Sequence, residues 1–310
     1  MASALWFTKI GGVIDMEMYI WNTVIVLSKI VFYVGFACIA GYTFFRQIFE
    51  NNESHTNAVT ANLTWTRTYI VMALIANITW FFASTGAMAE EGIQGAIDAD
   101  ILAIMWDSSV GTGALLRALG LVTAIIALAL RFKLAVNSYL KQSALMLSLL
   151  ILAYSFTLLG HISELGTIEK GLLILHVLVM AWWFGALLPL KQACHQLSYA
   201  ELHLLMESFG KQASFTVSLL LVAGLWLVIQ LVGSLDALIS SSYGQTLLFK
   251  LALVVSILAL AAKHKLILVP QLKNSQGREA LSKSISIEMV VAFAILSVTA
   301  GLTSVVGPAN

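Results

Sequence analysis

Proline is almost missing from this chain, with 3 among 310 residues, and Asp, Glu, Lys and Arg together make up only 11% of it. An ordinary soluble domain carries about a quarter charged residues. The net charge is +1, which gives no basic footprint for nucleic acid. There are two cysteines; Cys38 lies in an apolar run and Cys194 is read as part of a basic loop, so no disulfide framework is indicated. What fills the space is apolar: 59% of residues are hydrophobic and the mean hydropathy is +0.90. A soluble globule of this size has no way to hide that much apolar surface. Cytosolic enzyme, secreted disulfide scaffold and disordered chain are thereby excluded. The apolar runs are long and unbroken rather than alternating segments of about ten residues, so they predict membrane helices and not a barrel.

A spanning helix needs about 20 apolar residues. Eight such stretches are predicted, at 23–45, 69–89, 113–132, 143–160, 172–190, 214–232, 245–262 and 284–304. The chain opens without a basic leader and clean apolar core, so no cleavable signal is expected. Lys and Arg in short loops set the orientation. Arg46, Arg67, Arg131, Lys133, Lys141, Lys191, Lys211, Lys263, Lys265, Lys273, Arg278 and Lys283 fall on one side, assigned to the cytoplasm. The other side holds Lys9 and Lys170 but is rich in acids: Asp15, Glu17, Glu90, Glu91, Asp98, Asp100, Asp107, Glu164, Glu169 and Asp236. Both termini are then expected in the periplasm. The acids either follow from the absence of bases or form a funnel that concentrates cations.

Two stretches resemble each other. Residues 107–122 read DSSVGTGALLRALGLV and residues 239–255 read ISSSYGQTLLFKLALVV, aligning Gly111 with Gly244 and Arg117 with Lys250. They lie four predicted helices apart, which implies two parallel four-helix repeats. As domains, 1–142 is the first half and 143–310 the second. Arg117 and Lys250 sit about two turns inside the outer boundary. They either snorkel or pair with a loop acid, or they fix the Ser-Gly loops and shape the entrance.

His55, His195, His203 and His264 fall in cytoplasmic loops by this reading, where a solvated side chain suffices. His161 ends helix 4 and His176 lies in helix 5, and the short connection makes these helices antiparallel neighbours. Both imidazoles are therefore expected in one outer pocket, against the plainer reading of interhelical hydrogen bonds. Met180 follows His176 by four residues, one turn deeper on the same face. Imidazole nitrogen with thioether sulfur suits copper, Cu(I) in particular. Glu164, three residues past His161, adds an oxygen or orients the imidazole. Met16 and Met18 in the outer tail and Met88 at the end of helix 2 are candidates for metal capture, or simply apolar packing. Under the repeat, position 31 or 32 matches His176 and position 303 matches His161, so the histidines have no twins. No phosphate loop, paired intramembrane carboxylates or Ser-His-Asp arrangement is present, so no enzyme is expected. Below Met180, Trp182, Trp183 and Phe184 leave no inner path legible.

The second half resembles the copper resistance protein D (CopD) family of bacterial inner-membrane proteins. The carrying motifs are GHIS at 160–163, LHVLVMAWWFGALLPL at 175–190, SSYGQTLLFKLAL at 241–253, KHKLILVPQL at 263–272 and the pair Ile287 and Glu288. The resemblance implies a multi-pass inner-membrane protein that moves copper inward from the periplasm, with a periplasmic CopC-type copper-binding protein as partner. His161 and His176 match the family's recurrent histidines. The chain departs from the family at Lys263-His264-Lys265, where Asn-Arg is commoner, and at Lys211-Gln212, where Ser-Arg is commoner. Two alternatives stand beside copper transport: a haem b protein with the two histidines as axial ligands, and a non-transporting membrane dock for a copper chaperone.

Overall fold

The computed structural model describes residues 2–49, 56–129, 138–232, 235–272 and 275–304, and side chains for most of these. His55, Arg131, Lys133 and Lys273 lie outside the described residues, as do the side chains of Lys9, Asp15 and Arg46. Eight helices among the described residues are long and apolar enough to cross a membrane. They are α1 (Ala2–Phe49), α2 (Thr56–Ala89), α5 (Ser109–Ala129), α6 (Ser138–Ser155), α7 (Thr167–Gln196), α8 (Tyr199–Val232), α10 (Ser242–Lys263) and α11 (Ser275–Leu302). Short helices α3 (Gly92–Ala96), α4 (Ala99–Trp106) and α9 (Leu235–Ser240) occupy connections. Large apolar side chains such as Val71, Ile75, Val222, Leu225 and Val290 face outward. Along helices of this length, such a surface fits lipid rather than water.

The eight expected spans are all present, but several helices run further. At 1.5 Å per residue, α1 with 48 residues extends about 70 Å, well beyond a hydrocarbon core of about 30 Å. Hydropathy sees only the apolar part. The stretch 191–213, read as a cytoplasmic loop, is helix on both sides of a two-residue joint. Ser198 and Glu201 form a capping box there: Glu201 Oε2 accepts from Ser198 N at 3.0 Å and Ser198 Oγ accepts from Glu201 N at 3.3 Å. Cys194 is accordingly not in a loop but wholly buried on α7. At the other end of α6, a 3-10 turn (Phe156–Leu158) closes the helix, and Gly160, with φ of +69°, reverses the chain. That φ favours glycine over any residue with a Cβ.

Two large apolar clusters fill the bundle, beside a smaller third around Trp80, Phe81 and Met105. One gathers α1, α2, α5 and α6 around Phe32, Ile39, Ile70, Leu121 and Leu152. The other gathers α7, α8, α11 and the segment after α10 around Trp183, Leu187, Leu202, Leu268 and Ile285. They meet where α1 crosses α7. A Cβ on Gly41 would strike the Gly185 carbonyl, and a Cβ on Gly185 would strike the Ala37 carbonyl, so two glycines let the backbones touch. Pro189 lies inside α7 and has no N–H to give the Gly185 carbonyl four residues back. The Glu17 carboxylate accepts from Gly92 N, which ties the start of the α1 span to the start of α3, at the end that the charge pattern is expected to place outside.

Candidate functional site

The candidate ligands His176 and Met180 lie on α7, whose sequence places them with Trp183, Leu187 and Leu190 at helical spacing on one stripe. At its outer end, the His176 ring is turned toward α8 and α10. Gly224 of α8 faces it, so close that an added Cβ would lie 3.4 Å from Cε1 and 3.6 Å from Nδ1. Lys250 of α10 is near enough to act electrostatically on the ring. Among the described residues, His176 Nδ1 is buried without a hydrogen-bond partner. A buried ring nitrogen with no protein partner is a donor left over for something else. Met180 is half-buried one turn deeper, packed against the inner core.

The other expected ligands are spread out. His161 opens a 3-10 turn (His161–Glu164) that packs against α7, and its side chain lies outside the described residues. Glu164 in that turn is exposed, as is Met88 at the end of α2. Met16 and Met18 do not lie in a tail: α1 already runs through them. Two residues apart on a helix, they point to different sides; Met16 is exposed and Met18 half-buried. Among the described residues, no three His, Cys, Asp or Glu side chains come together as a metal-binding group.

Arg117 is buried, with its guanidinium 4.4 Å from the Trp80 ring centroid, 4.6 Å from Phe32 and 5.7 Å from Phe156. An aromatic cage offsets the loss of water around it. Gly111 packs on the last turn of α4, where a Cβ would strike the Trp106 carbonyl. Gly244 is buried and donates its N–H to Ser241 Oγ at 3.0 Å, a cap that starts α10. Ser108 Oγ likewise accepts from Val110 N at 3.1 Å at the start of α5.

Sequence reasoning missed what lies at the inner end of the α7 stripe. A cavity of about 290 Å³ opens between α8 and α10, walled by Trp183, Leu187, Met206, Phe209, His264 and Glu288 among others. Trp183 Nε1 donates to Glu288 Oε1 at 2.9 Å, Glu288 Oε2 meets His264 Nδ1 at 3.1 Å, and His264 Nε2 meets Ser284 Oγ at 2.8 Å. His264 is therefore not a solvated loop histidine. It begins a π-helical turn (His264–Leu268) that widens the end of α10, and its ring lies buried against α11. Glu288 carried a signal: it is the one acid in the apolar run from Ile285 to Leu302. His264 carried none, because the apolar run had already ended.

Comparison with known proteins places these features in context. The family description "Copper resistance protein D" matches residues 203–302, and "Copper resistance protein D-like, N-terminal domain" matches residues 17–168. The copper transport protein CutJ of Bacillus subtilis (strain 168) is 30% identical over 165 residues, covering 51% of this chain and 29% of that protein. The chain thus spans under a third of the length of this curated relative. No solved structure matches.

Proposed function

The chain belongs to the copper resistance protein D family, and on that premise we propose that it binds copper in the outer half of the bundle and carries it across the bacterial inner membrane, from periplasm to cytoplasm, as part of copper homeostasis or resistance. The observation that carries this reading is the buried, unpartnered Nδ1 of His176, with a thioether one turn below it. An imidazole and a methionine sulfur are a soft donor pair that favours Cu(I) over hard cations. The neighbouring Lys250 ammonium argues the same way, because a single positive charge is repelled less than a double one. In this reading His161 supplies the second imidazole from the turn against α7, Glu164 orients it, and Met16, Met18 and Met88 collect the ion at the outer surface. The acidic outer residues raise the local cation concentration and offer a face to a periplasmic CopC-type copper carrier.

The test is copper flux into proteoliposomes holding the purified protein. Wild type is expected to accumulate copper, and a variant with both His161→Ala and His176→Ala is expected not to. Copper bound without any flux would assign the protein to chaperone docking instead.

A further inference from the structure

The inner cavity holds a second piece of chemistry that the outer pocket does not use. Glu288 is 2% exposed and His264 is 7% exposed, and they sit against each other on the wall of a cavity about one turn inside the inner end of the predicted helix 8. Ionisable side chains inside a membrane are expensive and mark ion pathways and proton relays. With the Glu288 carboxyl ionised and His264 neutral, the hydrogen-bond chain assigns the proton positions. The carboxylate only accepts, so Trp183 Nε1–H serves one oxygen and His264 Nδ1–H the other. His264 Nε2 then accepts from the Ser284 hydroxyl.

We propose that the His264–Glu288 pair is a proton-binding site on the inner cavity, and that cation movement through the bundle is coupled to it. In the resting state the pair carries one net negative charge. A proton from water at the inner face binds His264 Nε2, forming one N–H bond. Ser284 Oγ rotates from donor to acceptor, and the imidazolium stays against the carboxylate, now with no net charge. Loss of the same proton reverses each change.

The surroundings leave this pair as the group that responds. Among the described residues lining the cavity, α7, α8 and α10 contribute no acid, and the π turn adds Lys265, whose Nζ donates to Ser214 Oγ of α8 at 2.7 Å. Of the charged groups at this end, His195 meets Ser282 at 3.0 Å, Arg278 the Leu197 carbonyl at 2.8 Å and Lys211 the Glu207 carboxylate at 2.9 Å, while Lys263 and Lys283 flank the pair and are exposed. Trp183 links the pair to α7, three residues beyond Met180, so the proton site and the proposed copper ligands share one helix face.

The inference rests on the copper reading only for the identity of the coupled ion, and two measurements separate them. Nitrogen-15 NMR of histidine-labelled full-length protein, with His264→Gln to assign the signal, reads the site without any transport. The His264 resonance is expected to move from neutral to protonated positions as pH falls, and to titrate at a different pH in Glu288→Gln. The second measurement is the steady-state copper ratio in proteoliposomes under an imposed pH gradient. One proton per copper shifts that ratio about tenfold per pH unit in wild type, in a direction that distinguishes exchange from co-transport, and Glu288→Gln abolishes the shift. A His264 resonance that stays fixed with pH overturns the proposal, and so does a gradient response that persists in Glu288→Gln. A titrating His264 in a wild type that moves no copper supports the proton site and contradicts the copper reading.

Discussion

His176 and Glu288 show how differently two polar side chains within the bundle are treated. Glu288 has both oxygens served by N–H groups, whereas His176 keeps a nitrogen free beside the Lys250 ammonium. If copper sits on that nitrogen, the ammonium opposes it. Lys250→Met is then expected to tighten copper binding by about tenfold, about 1.4 kcal/mol, read by competition with a chelator of known affinity; weaker binding would contradict that arrangement. At the inner end, Glu288→Ala strips the partners from Trp183 and His264. Breaking a buried pair in this way costs about 3–5 kcal/mol. A clear fall in the thermal midpoint is expected, with Glu288→Gln falling less because its amide oxygen still accepts. Part of this was legible residue by residue: His176 stood out with His161 as two histidines expected at matching depth on neighbouring helices, and Met180 followed from helical spacing. His264 did not, since only the π turn that follows α10 carries its ring back into the bundle.

Among the elements, α1 and α7 hold the two cores together through the Gly41–Gly185 contact. A larger side chain has nowhere to go there. Gly185→Leu is expected to cost well beyond the about 1–3 kcal/mol of ordinary overpacking, because backbone rather than side chain must move. Loss of a monodisperse peak on size exclusion would show it; a wild-type profile and thermal midpoint would contradict the crossing. The spans themselves were legible as runs of about 20 apolar residues. Their polar extensions were not, because a helix that leaves the membrane loses its apolar pattern while keeping its hydrogen bonds. That is why 191–213 read as a loop and Cys194 as a loop residue, although α7 and α8 run through it with a single capped joint.

For the whole molecule, the two main clusters cross between the halves, since Phe44 and Phe45 of α1 join the α7–α8–α11 cluster and Ala181 and Ala300 join the α1–α2–α5–α6 cluster. Ser108 and Ser241 hold equivalent places ahead of α5 and α10, and each accepts a backbone N–H. Orientation rests on the basic residues of one end, and cysteine labelling tests it. Cys38 is largely covered and Cys194 is buried, so both serve as a quiet background. Ile93→Cys, on α3, is expected to react with a membrane-impermeant maleimide in intact spheroplasts, and Gln271→Cys only after permeabilisation; the reverse pattern would invert the assigned sides.

The most direct test of the copper account is metal analysis of the purified protein after loading with copper under reducing conditions. Wild type is expected to retain copper in stoichiometric amount, His176→Ala to lose at least about nine-tenths of it, a drop in affinity of about a hundredfold, and Met180→Leu to lose part. Equal copper in wild type and His176→Ala would contradict the outer pocket.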